Sequence, residues 1–252
     1  MAGDLFSLAG QIAAVTGANT GLGQAMALAL AEAGADIVAI GRSTPDETRV
    51  SVEATGRRFH FINAELADDV DCEAIAARAE AALGGVTILL NNAGTIRRAN
   101  AVDFTEADWD EVVGVNLKTT FFLSQAFGKR MIARGRGKII NIASMLSFQG
   151  GIRVVSYTAS KSGVLGLTRA LANEWAGQGV NVNAIAPGYM ETNNTAALRA
   201  DATRNRDILA RIPAGRWGEP SDLAGAVVFL ASSAADYVHG AVIPVDGGWL
   251  AR

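Results

Sequence analysis

Gln11-Ile-Ala-Ala-Val-Thr16-Gly17-Ala-Asn19-Thr20-Gly21-Leu22-Gly23 is the stretch from which the fold can be read. A short apolar run is stopped by glycine, as in a strand buried on both faces. Residues 22–33 follow with Ala, Leu and Met spaced for a helix, and Gly34 ends it. Between the two lie glycines spaced G-x-x-x-G-x-G. Glycine lets backbone pass close to a pyrophosphate, and the next helix points free N–H groups at it. An ordinary strand–helix turn is the plainer reading of a lone glycine cluster. Its place between strand and helix favours phosphate binding by Gly17, Asn19, Thr20, Gly21, Leu22 and Gly23.

Outward from this loop the same alternation repeats. Apolar runs at 36–40, 59–62, 87–90, 138–142, 180–185 and 241–245 read as strands. Helical patterns occupy 68–83, 154–176, about 195–211 and 220–231. A capping box at 105–108 opens a long helix to about 133. Short apolar strands alternating with helices predict a doubly wound α/β fold with a parallel sheet. No linker interrupts the pattern, so residues 1–252 are expected to form one domain. The polar stretch 189–212 is a candidate substrate lid, with a core-packing helix pair as the alternative.

Composition agrees. The chain has 252 residues, half of them hydrophobic, which supplies one sizeable core. Its net charge of −3 offers no global basic field for nucleic acid. The single cysteine, Cys72, excludes an intrachain disulfide, fits a reducing compartment and is expected to be inert. Residues 1–10 lack a basic start followed by an apolar run, and no long apolar span occurs. A cytoplasmic protein is therefore expected, with no membrane partner. His60 and His239 stand apart without clustered Cys or Asp, so no metal site is expected.

Ligands of such sheets bind beyond the carboxyl ends of the strands. After the second strand, Gly41-Arg42-Ser43 lacks the acid that would take an adenosine ribose. Arg42 could meet a 2′-phosphate or stack on adenine, or simply be a loop arginine. Asn91, Asn92, Ala93 and Gly94 follow the fourth strand. They could hold nucleotide groups, tie strands together, or do both. Ser144 follows the fifth strand. Tyr157 and Lys161, four apart, share one helix face. A free phenol titrates near pH ~10, and a nearby ammonium favours its ionised form. Such a phenol can exchange a proton with a carbinol or carbonyl oxygen held by Ser144. Asn116 is an amide inside an apolar helix, either a satisfied buried group or the holder of a water near Lys161.

Together these segments resemble the short-chain dehydrogenase/reductase family over nearly the whole chain. The motifs are 16–23, Asn91-Asn-Ala-Gly94, Asn116, Ser144, Tyr157 with Lys161, Pro187-Gly188 and Asp246-Gly-Gly248. The resemblance implies a single-domain Rossmann-like fold and NAD or NADP as cofactor. It makes Tyr157 the general acid/base and has Lys161 lower its pKa and bind the nicotinamide ribose. Ser144 orients the substrate oxygen, and Asn116 holds a relay water. Pro187, Gly188, Met190 and Thr192 join the cofactor site. An Asp that usually follows the third strand is replaced by Asn63-Ala-Glu65-Leu66, so Glu65 and Leu66 substitute or the adenine contact is lost.

A finer resemblance, carried by 96–98, 142–153, 186–195, 211–217 and 245–250, is to members acting on deoxy sugar acids in uronate breakdown. It implies a carboxylate-bearing substrate. Arg97, Arg98 and Arg153 lie in loops after strands, and an arginine fork suits a carboxylate. Arg153 and Arg97 are the preferred substrate ligands, with Gln149, Ser144 and Tyr157. A reductase of oxoacyl carrier-protein thioesters and a non-catalytic dinucleotide sensor remain alternatives. A homotetramer is expected from apolar residues in excess on the long helices, among them Phe121, Phe122, Val164 and Leu167.

Overall fold

The computed structural model describes residues 5–67 and 69–252. Seven strands form one sheet: β1 Ile12–Thr16, β2 Asp36–Gly41, β3 Phe59–Asn63, β4 Ile88–Asn91, β5 Gly137–Ile142, β6 Val180–Pro187 and β7 Val242–Val245. Their order is β3-β2-β1-β4-β5-β6-β7, and every neighbouring pair is parallel. This is the Rossmann-like doubly wound sheet expected. The strand order reverses between β1 and β4, which opens a crevice at their carboxyl ends.

The inner strands are apolar because both faces are covered. β1 and β6 are buried along their whole length. On one face pack α1 (Gly21–Glu32) and α9 (Ala224–Ala231), through Met26, Leu30, Val227 and Leu230. On the other pack α3 (Cys72–Leu83), α5 (Thr119–Arg134) and α6 (Val155–Trp175), through Ile75, Phe127 and Leu171. Each such side chain contributes about 1.5–3 kcal/mol when fully buried.

β3, read correctly as a strand, lies at the sheet edge with His60 exposed. Several expectations need correction. Helix α2 (Asp46–Ala54) was not anticipated: its mean hydropathy is low and it buries only Thr48 and Val52. The helix expected from residue 68 begins at Cys72, where the Asp71 side chain accepts from the Ala74 N–H; Asp68 lies outside the described residues. The long helix after Thr105 is capped as expected, the Thr105 hydroxyl accepting from the Asp108 N–H. It is not uniform, however: α4 (Glu106–Val113) passes through a π-helical turn, Gly114–Lys118, into α5. The 189–212 stretch carries two helices, α7 (Ala196–Ala200) and α8 (Ala202–Arg211). Val164 is core rather than surplus apolar surface.

Candidate active site

The glycine loop follows β1 at the crevice. Gly17 and Gly21 have φ of +65° and +56°, a region that disfavours side chains. A Cβ on Gly23 would collide with the Gly17 carbonyl oxygen. Asn92 holds the loop from β4, its amide donating to the Thr16 and Gly17 carbonyls at 3.0 and 3.1 Å. Thr48 of the unanticipated α2 buttresses it from behind, its hydroxyl donating to the Ala18 carbonyl at 2.7 Å. Thr20 precedes α1 without a side-chain cap, so the first-turn N–H groups face outward unclaimed by a side chain. A crowded glycine cradle under an uncapped helix N-terminus fits a pyrophosphate.

The remaining nucleotide candidates are dispersed around this cradle. Thr192 reaches back to it, its methyl 3.7 Å from where a Gly21 Cβ would sit. Pro187 and Gly188 end β6, and Gly188 is backed by Asp246 so closely that no Cβ fits. Arg42 is exposed beside Glu65, 3.7 Å away. The side chains of Leu66 and Met190 point into the core, which leaves only their backbones to line the site. Asn91 ties strands, donating to Ser124 and to Asn141 of β5.

Tyr157 and Lys161 stand on the first turns of α6, beside the ends of β4 and β5. The Lys161 ammonium donates to the Ile142 carbonyl at 2.6 Å and lies 5.8 Å from the Tyr157 ring centre. Gly94 leaves room here, since a Cβ on it would meet Asn116 Oδ1 at 3.1 Å and Lys161 Nζ at 3.7 Å. Asn116 occupies the π-helical turn. Its Oδ1 accepts from the Thr95 N–H (2.8 Å), and its Nδ2 donates to the Thr95 carbonyl and the Ser160 hydroxyl. The amide is thus a satisfied buried group that pins the β4 loop to α6. Ser144 caps the short turn after β5, accepting from the Leu146 N–H at 3.1 Å.

Electrostatics depart from expectation. Burial pushes the Tyr157 phenol up from its ordinary value. The hydrogen bond with Ser144 and the charge of Arg98 pull it partly back. Burial lowers Lys161 itself to about 8. Cys72 is buried and driven up to about 11 by burial and by Asp71 and Glu73, which leaves the thiol unreactive.

The arginines are sorted differently from the sequence reading. Arg97 is spent: its fork grips Glu111 at 2.9 and 2.7 Å. Arg98, passed over, acts on Tyr157 and donates to the Asn194 carbonyl at 3.3 Å. Glu111 is the acid that takes up Arg97, while Arg98 stays exposed. Arg153 is exposed at φ +63°, the one non-glycine residue with positive φ among those described. Its carbonyl accepts from the Ala99 N–H. Gln149 accepts from Arg211 at 3.0 Å.

The chain is similar to known proteins over nearly its whole length. A family model described as enoyl-(acyl carrier protein) reductase matches residues 17–250. The 2-dehydro-3-deoxy-D-gluconate 5-dehydrogenase of Escherichia coli is 63% identical over 98% of both chains. A structure from Agrobacterium tumefaciens, provisionally a 2-deoxy-D-gluconate 3-dehydrogenase and solved with bound NADP, is 61% identical with a TM-score of 0.93. The match covers 99% of this chain and all of that one. A gluconate 5-dehydrogenase from Burkholderia cenocepacia, in complex with NADP and tartrate, is 39% identical with a TM-score of 0.95, over the whole of both chains.

Proposed function

Since this chain belongs to the short-chain dehydrogenase/reductase family and has its nicotinamide-dependent dehydrogenase chemistry, we propose a deoxy sugar acid as its substrate. The acid is of the 2-dehydro-3-deoxy-D-gluconate or 2-deoxy-D-gluconate type, as in uronate catabolism. The observation that carries this reading is the joint placement of Ser144, Tyr157 and Lys161 at the β4–β5 ends, in a chain 63% identical to a dehydrogenase of that acid. NADP or NAD binds with its pyrophosphate on the 17–23 loop and its adenosine end near Arg42, Glu65 and Leu66. Pro187, Gly188, Met190 and Thr192 flank it. The bound nicotinamide supplies or accepts the hydride.

The chain's own residues do the rest. Ser144 fixes the substrate oxygen, and the Tyr157 hydroxyl gives or takes its proton. The charge of Arg98 favours negative charge on the phenol oxygen. Lys161 holds the nicotinamide ribose, and the satisfied Asn116 amide keeps the proton path in register. Arg153 and Gln149 line the outer substrate side; the Burkholderia enzyme was solved with tartrate, itself a hydroxy acid. The 189–212 stretch closes over the substrate, and residues 1–252 act as one domain. No helix among the described residues is long and apolar enough to cross a membrane. The enzyme works as a cytoplasmic homotetramer.

Turnover of a keto-deoxy-gluconate with NADPH and NADH, beside an acetoacetyl thioester, tests the assignment. The sugar acid is expected to be the better substrate by kcat/KM. Tyr157→Phe should lower kcat about 10²–10⁴-fold with cofactor binding intact. Near-normal turnover by that variant would refute the role of the phenol.

A further inference from the structure

Most arginines around the crevice already meet an acid: Arg97 meets Glu111, Arg199 meets Glu191, and Arg216 meets Asp222. Arg211, the last residue of α8, has no ion pair among the described residues. Its guanidinium lies over the Trp249 ring, 4.0 Å from the centre, and donates one hydrogen bond to Gln149 Oε1 at 3.0 Å. A guanidinium carries five N–H donors in a rigid plane. The stack and the single bond orient that plane and leave donors free for a bidentate partner.

The mount is elaborate for a surface arginine. Trp249 is 5% exposed, and its indole N–H is buried with no acceptor among the described residues. The ring has given up its hydrogen bond to lie beneath Arg211 and edge-on to Tyr189 at 4.8 Å. The tail that carries it is clamped. The Asp246 carboxylate accepts from the Gly248 and Leu250 N–H groups, and the Ala214 N–H donates to the Gly247 carbonyl. Met145 and Leu146, which join Ser144 to the Gln149 loop, pack into the same cluster. Arg211 is therefore coupled to the loop that carries Ser144.

The chemistry of the substrate supplies the remaining step. In a 5-dehydrogenase of a gluconate the carboxylate is carbon 1 and the reacting centre is carbon 5. The carboxylate carbon lies four carbon–carbon bonds from the reacting carbon. Arg98, whose charge favours the ionised Tyr157 phenol, serves the reacting end. Arg211, beyond the Ser144 loop, is placed for the other. Building on the sugar-acid reading above, we propose that Arg211, presented by Trp249 and Gln149, is the specificity-determining residue that binds the substrate carboxylate.

Steady-state kinetics on the keto-deoxy acid and on a neutral analogue with CH₂OH in place of the carboxylate decide the matter. Arg211→Gln should lose at least about tenfold more kcat/KM on the acid than on the analogue, mostly through KM. Arg211→Lys should recover part of the loss. Gln149→Glu keeps the arginine and its stack but neutralises the fork, and should give the same acid-selective rise in KM. This second variant decides if Arg211→Gln does not fold. Equal losses on the two substrates, or none, would overturn the assignment. Wild-type enzyme that prefers the neutral analogue would overturn the sugar-acid reading itself, and the role of Arg211 with it.

Discussion

Lys161 sets burial against charge most directly. The unfolded lysine keeps its proton up to about 10.5, the folded one up to about 8. Between those values the unfolded chain holds the extra proton, so this group makes stability rise with pH. The burial penalty is full below pH 8 and gone above 10.5, a difference of roughly 3 kcal/mol. Urea unfolding of wild type and Lys161→Met, at pH 7.5 and at pH 10, should show wild type gaining on the variant as pH rises. A constant difference between them would mean the ammonium is not penalised. Nothing in a Tyr-x-x-x-Lys spacing discloses this. The spacing puts both residues on one face of α6, but the depth of that face comes from the packed β4–β5 ends. The same distinction separates Arg97 from Arg98. Both were visible as loop arginines, and only the position of Glu111 on α4 decided which was consumed in an ion pair.

At the scale of elements, the glycine loop is the most legible part of the chain, because its spacing encodes a steric demand. Gly23→Ala should abolish dinucleotide binding while the far-UV circular dichroism stays that of wild type. The added Cβ meets the Gly17 carbonyl and the Asn92 amide within the loop rather than in the core. Fluorescence titration with NADPH measures it, and wild-type affinity would contradict the cradle. Less legible was α2, whose polar sequence gives no apolar stripe, although its Thr48 supports the loop through one hydrogen bond. The π-helical turn at Gly114–Lys118 was also hidden. A single extra residue in a helical turn leaves the 3.6-residue periodicity almost intact, yet it is the turn that places Asn116 against Thr95.

Across the whole molecule, exposed apolar residues are scattered over the surface, and two of them lie on α4 and α5. Trp109 and Phe122 are 39% and 42% exposed, while Phe127 and Met131 on the same helical segment are buried. A second copy of the chain would cover both side chains in a symmetric assembly. Sedimentation should return a mass near four times the 26.1 kDa chain. Phe122→Glu should yield smaller species with an unchanged circular dichroism spectrum. A monomeric wild type would rule the assembly out.

Periodicity and glycine spacing were enough to determine the alternating strands and helices, the parallel sheet, the tight glycine loop after β1 and the Tyr157–Lys161 face. Each is a local consequence of side-chain type at fixed intervals. Tertiary structure alone decided which polar groups were spent on one another. It consumed Arg97 on Glu111, filled the Asn116 amide with Thr95 and laid Arg211 on Trp249. Those pairings join residues far apart in the chain. Their energies depend on distance and burial, and neither is written in local sequence.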